Sequence, residues 1–74
     1  MTLSNRLPEL RKARGLTQAE LAEMAGVSRK TINTIERRVF VPSTMLALTL
    51  ARELGVSVHD IFTLDDGDAR EAAE

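Results

Sequence analysis

The stretch Gly15–Glu36, GLTQAELAEMAGVSRKTINTIE, decides how this chain is read. Thr17 and Glu20 stand three apart, the spacing of a capping box, with Leu16 and Leu21 placed as a hydrophobic staple. A helix over Gln18–Ala25 follows, and Gly26 closes it by taking the left-handed conformation. Ser28 then caps a second helix over Arg29–Arg37, stapled by Val27 and Ile32. A turn this short between two short helices forces a steep crossing angle. One helix stands out from the body while the other braces it.

The outstanding helix has two faces. Ile32, Ile35 and the stem of Glu36 share one. Lys30, Asn33, Thr34 and Arg37 follow the helical repeat on the other, and Arg29 projects from the first turn. The outward side is therefore basic and amide-bearing, with no large apolar group. Such a face suits a DNA major groove. Arg and Lys donate to guanine O6 and N7, Asn bonds adenine bidentately, and Thr touches a thymine methyl. Free N–H groups at the two helix N-termini, with Gln18 and Ser28 beside them, suit phosphate. An ordinary solvated helix face has the same periodicity, and periodicity alone does not choose between the two.

The same grammar extends outward. Ser43 caps a helix over Thr44–Leu54 that Gly55 closes. Ser57 and Asp60, stapled by Val56 and Ile61, start a short one over Val58–Phe62. Upstream, a helix over Arg6–Arg14 carries Pro8 in its first turn and is followed by Gly15. The expected fold class is all-α, with five helices in one compact domain over residues 1–64. Residues 65–74 are acidic, rich in alanine and nearly free of large apolar groups, and are read as a frayed or disordered tail.

Composition agrees and excludes several classes. The 74 residues allow one domain, 43% hydrophobic and 28% charged. With no cysteine there is no disulfide framework and no thiolate metal site. His59 is the single histidine, so no metal or other cofactor is expected. Asp65, Asp66 and Asp68 match a calcium loop only loosely, because the glycine and the closing acid are misplaced. No glycine-rich phosphate loop occurs, and nothing marks an enzyme. No apolar run approaches the roughly 18 residues of a membrane span, and no secretory signal is read, so a cytoplasmic location is expected. Two aromatics, Phe40 and Phe62, are too few for a base-stacking platform.

The net charge of −1 conceals an asymmetry. Through Arg38 there are eight bases against four acids; from Val39 onward there are two bases against seven acids. Either the basic half faces a polyanion, or these are solvated helix faces with an acidic tail.

Taken together, Gly15–Ala22, Gly26–Arg29, Thr31–Glu36, Pro42-Ser43, Leu46–Leu48, Leu50-Ala51 and Leu54–Val58 running into Asp60–Phe62 resemble the Cro/C1-type (XRE) helix-turn-helix family. The resemblance covers about residues 3–64 without gaps, and lies closest to the compact single-domain members of the cytolysin-repressor type. It implies a five-helix, lambda-repressor-like domain that binds double-stranded operator DNA as a homodimer, most often as a repressor in a bacterium or phage. By position it places Arg29, Lys30, Asn33 and Thr34 at base edges. It places Gln18, Ser28, Thr31, Arg14, Arg37, Arg38 and Ser43 near phosphates. It also implies an ion pair between Arg11 and Glu36, and pairing of Thr2–Ser4 with Phe62–Leu64 as short strands. The same domain type also serves as an antitoxin that binds a partner toxin and represses its own operon; a structural adaptor that binds no DNA is a third reading of the chain.

Three positions depart from the family pattern. Arg38 stands where relatives commonly have Gly. Val39 and Val41 replace positions that are often basic or polar. Phe40 keeps the usual aromatic and is read as core.

On the fourth helix the inward stripe is Leu46, Ala47, Leu50, Ala51 and Leu54, which leaves Met45 and Leu48 outside it. With Val58, His59, Ile61 and Phe62 these form the expected self-complementary dimer surface. A broad core edge is the other reading of the same groups.

Overall fold

The computed structural model describes residues 2–65. Five helices run in order between two short strands: β1 (Thr2–Asn5), α1 (Leu7–Ala13), α2 (Gln18–Ala25), α3 (Arg29–Glu36), α4 (Thr44–Leu54), α5 (Val58–Ile61) and β2 (Phe62–Asp65). The strands pair antiparallel, with Thr2 opposite Asp65 and Asn5 opposite Phe62. Ser4 and Thr63 also join their hydroxyls, 2.9 Å apart.

Each helix begins and ends for a local chemical reason. Thr17 and Ser57 make full capping boxes with Glu20 and Asp60, and Ser28 and Ser43 accept from the N–H groups of Thr31 and Leu46. Each contact satisfies a donor that the first helical turn leaves without a partner. α1 differs, because its flanking residue Arg6 makes no side-chain cap. The cap comes from one residue earlier: Asn5 Oδ1 accepts from Leu7 N–H at 3.1 Å.

Four helices end in one hydrogen-bond pattern. After α1, Leu16 N–H reaches Arg11 O and Gly15 N–H reaches Lys12 O. Val27 and Gly26 repeat this on Ala22 and Glu23, and Val56 and Gly55 repeat it on Ala51 and Arg52. This is the Schellman arrangement, which requires a left-handed residue just past the helix. After α3 the bonds are the same, Val39 to Thr34 and Arg38 to Ile35, but the left-handed residue is Arg38, at φ 64°. A side chain there costs about 1–2 kcal/mol that glycine does not. Arg38→Gly is therefore expected to stabilise the domain by about 1 kcal/mol. In a chain this size that raises the thermal midpoint by roughly 4–8 °C, which circular dichroism melting measures.

The core is built from Leu7, Leu21, Ile32, Ile35, Leu50 and Ile61, all fully buried, with Ala22, Ala51, Leu54 and Phe62 completing it. Every helix contributes, so the short α5 is held by packing rather than by its own propensity. Arg6, Arg14 and Arg37 lie at helix ends rather than inside helices. Phe62 opens β2 instead of closing α5, and Asp65 ends that strand instead of starting a tail. The rest of the expected tail, from Asp66 onward, lies outside the described residues. Phe40 is not core. It is 46% exposed between Val39 and Val41, at 68% and 67%, because the chain leaves α3 through the left-handed turn at Arg38 and runs over the surface to Pro42.

Candidate nucleic-acid interface

α2 and α3 form a helix-turn-helix in which α3 shows its polar side to solvent. Ile32 and Ile35 fix the other side in the core. Arg29, Lys30 and Arg37 are exposed, and Thr31, Asn33 and Thr34 are half-buried beside them. Arg29, Lys30 and Asn33 line one shallow hollow. Arg29 also lines a second hollow with Lys12, Thr17 and Gln18 at the N-terminus of α2, where free N–H groups favour an anion. Lys12 had no assigned role in the sequence reading. Its charge was visible there, but its meeting with Arg29 depends on how α1 packs beside α2.

A polar relay holds α3 against the body. Arg11, buried on α1, donates from Nε to Glu36 Oε2 at 2.7 Å and from Nη2 to Glu36 Oε1 at 3.2 Å. Its Nη1 reaches Leu16 O at 2.8 Å. Glu36 Oε1 also accepts from Gln18 Nε2 at 3.0 Å, and Gln18 Oε1 lies 3.5 Å from Asn33 Nδ2. The relay joins α1, α2 and α3. The paired side chains are only 10% and 7% exposed, so the fork geometry, the extra acceptor at Leu16 and the extra donor from Gln18 are what make burying two charges tolerable. No buried polar side-chain atom among the described residues lacks a partner.

The remaining expected contacts separate into groups. Ser28 and Ser43 accept cap bonds through Oγ and stand exposed at the N-termini of α3 and α4. Thr34 Oγ1 donates to Thr31 O at 3.0 Å, so its proton is engaged within α3 and its methyl group remains. Arg37 and Arg38 are exposed at the far end of the helix. Arg14 lies elsewhere. Its Nη1 donates to Leu54 O at 2.5 Å, where a cation complements the C-terminal end of α4. That bond ties one nitrogen of an exposed side chain, expected at phosphates, to α4 across the fold.

Met45, Leu48 and Leu64 are exposed, and Met45 lines a hollow with Ser43 and the turn residues Gly26 and Val27. Val58, His59, Phe62, Leu3 and Leu64 line a shallow apolar hollow, and Leu48 lines another with Leu3, Pro42 and Phe62. Ile61 does not belong to this surface. It is 1% exposed because its side chain turns into the core, leaving nothing for a second molecule to touch. Among the described residues no helix is long and apolar enough to cross a membrane, and no cluster of His, Cys, Asp or Glu could hold a metal ion.

The helix-turn-helix family model matches residues 8–61. An uncharacterized HTH-type transcriptional regulator of Methanothermobacter thermautotrophicus is 49% identical over 63 residues, 84% of this chain and 91% of that protein. Among solved structures, the restriction-modification controller protein C.AhdI from Aeromonas hydrophila superposes with a TM-score of 0.71 at 36% identity, over 74% of this chain and 83% of that one. The biofilm master regulator SinR, solved in complex with DNA, gives 0.69 at 38% identity, over 73% and 87%. The chain belongs to the helix-turn-helix family of Cro/C1 type. It is a DNA-binding transcriptional regulator with a lambda-repressor-like domain.

Proposed function

We propose that this chain is a sequence-specific repressor that binds a palindromic operator as a homodimer. The carrying observation is the outward side of α3, where Arg29, Lys30 and Asn33 converge on one hollow while the relay from Arg11 holds the helix end. In this reading α3 enters the major groove. Arg29, Lys30, Asn33 and Thr34 face base edges. Gln18, Ser28, Thr31, Arg37, Arg38 and Ser43 lie along the phosphates, and Lys12 joins them at the N-terminus of α2. SinR, crystallised in complex with DNA, supports the DNA-binding part by its similarity.

The homodimer forms through Met45, Leu48, Val58, His59 and Phe62. A two-fold axis there sets the two α3 helices about 34 Å apart, one turn of duplex. Selection of bound sequences from random duplexes tests the sequence-specific binding and its two-fold symmetry. The expected result is a palindrome with half-sites about one turn apart. Recovery of sequences with no common element would overturn it.

The dimer surface has its own test. Leu48 is 54% exposed, so Leu48→Glu leaves the subunit folded. It is expected to make the protein monomeric in sedimentation and to lower operator affinity about a hundredfold, because the second half-site is no longer tethered. A variant that stays dimeric would move the interface to another face.

A further inference from the structure

One part-buried side chain has no place on the DNA-facing surface. Asn5 Nδ2 donates to Ile35 O, in the last turn of α3, at 3.0 Å. Its Oδ1 meanwhile caps α1 through Leu7 N–H at 3.1 Å. The backbone beneath this amide is anchored twice. Asn5 is paired with Phe62 across the sheet, and Arg6 N–H reaches Ile61 O at 2.8 Å. Ile35 O is one of the last carbonyls of a helix, which have no donor inside the helix, and besides Asn5 it receives Arg38 N–H at 2.9 Å.

From this geometry we infer that Asn5 is a positioning residue for sequence reading: it ties the C-terminal end of α3 to the paired strands β1 and β2. The neighbouring residue, Glu36, is tied by Arg11. The two ties therefore come from the end of β1 and the later part of α1, and together they set the tilt of α3 as well as its distance from the body. Arg29 and Lys30 stand at the other end of the helix, about 10 Å away along its axis. Over that length a tilt of about 10° displaces them by about 2 Å. Hydrogen bonds to base edges do not survive a displacement of that size. The inference rests on the reading that α3 enters DNA.

Asn5→Asp separates the two halves of the amide. One carboxylate oxygen still caps Leu7, while the other replaces a donor with an acceptor against Ile35 O. Asn5→Ser is the second variant, with a hydroxyl that caps Leu7 and is too short to reach Ile35. The measured quantity is the ratio of affinity for the selected operator to affinity for random duplex. The added charge of the Asp variant weakens both alike and leaves the ratio untouched. Both variants are expected to lower the ratio about fivefold, the equivalent of one ordinary hydrogen bond. Amide exchange at Arg37, Arg38 and Val39 is expected to quicken by a similar factor.

A wild-type ratio in folded Asn5→Asp or Asn5→Ser overturns the inference while the DNA reading stands. If the wild type itself shows no sequence preference, the DNA reading fails, and with it the inferred role in sequence reading. Amide exchange then reports only whether Asn5 holds the end of α3, and unchanged exchange removes that as well.

Discussion

Arg11→Ala is expected to cost about 3–5 kcal/mol of folding stability, because it leaves Glu36 charged, buried and without its ion partner. A domain of this size has few kcal/mol to lose, since small single cores rarely supply more than about 3–5 kcal/mol. The variant should therefore be largely unfolded at room temperature, which urea titration followed by circular dichroism reads directly. Arg11→Met with Glu36→Leu removes both charges and should regain most of the loss, since apolar replacement of a buried pair is often neutral. Gln18 then loses its acceptor, so the double variant keeps the fold with a looser Asn33. The other ion pair among the described residues, Arg52 with Glu53, is a contrast. Arg52 is 76% exposed, and Arg52→Ala should change stability by less than about 0.5 kcal/mol. A stable, fully folded Arg11→Ala would show that the relay is dispensable.

The second large effect concerns base preference. Lys30→Ala and Thr34→Ala should each flatten preference at a different position of the half-site, by about 1–3 kcal/mol for Lys30 and by less for Thr34, whose methyl group is what remains for a base. Arg37→Ala should instead weaken binding to every sequence and lower the salt slope by about one. Competition binding against single-base operator variants, repeated over a range of salt, distinguishes these patterns. Identical base profiles for Lys30→Ala, Thr34→Ala and wild type would remove α3 from the readout.

These expectations depend on features that differ in how far they can be read from the chain alone. The limits of α2 and α4 follow from Thr17 with Glu20, Ser43, Gly26 and Gly55, because a cap acts within one helical turn of itself. The outward side of α3 is equally local, since periodicity at Ile32 and Ile35 already divides the helix. Contacts between distant residues leave no such mark. Arg14 finds the carbonyl of Leu54, and Asn5 finds that of Ile35, only once the helices have packed. Phe40 failed for a related reason. A loop has no period to say which side faces inward, and the exit direction set by Arg38 decides it. Arg11 with Glu36 is a long-range pair too, and it was expected only through the family resemblance.

The antiparallel end strands carry a topological consequence. With Thr2 directly opposite Asp65, the pair has the form of a hairpin whose turn was never made. A two-residue link of the Asn-Gly kind, put in place of Met1 and residues 66–74, would supply that turn and join residues 2–65 into a ring. The ring could then be opened at Val39–Val41, which is exposed and forms no part of the core. A circular permutant cut there would begin with α4 and finish with α3, keeping all five helices while reversing which of them emerges first during synthesis.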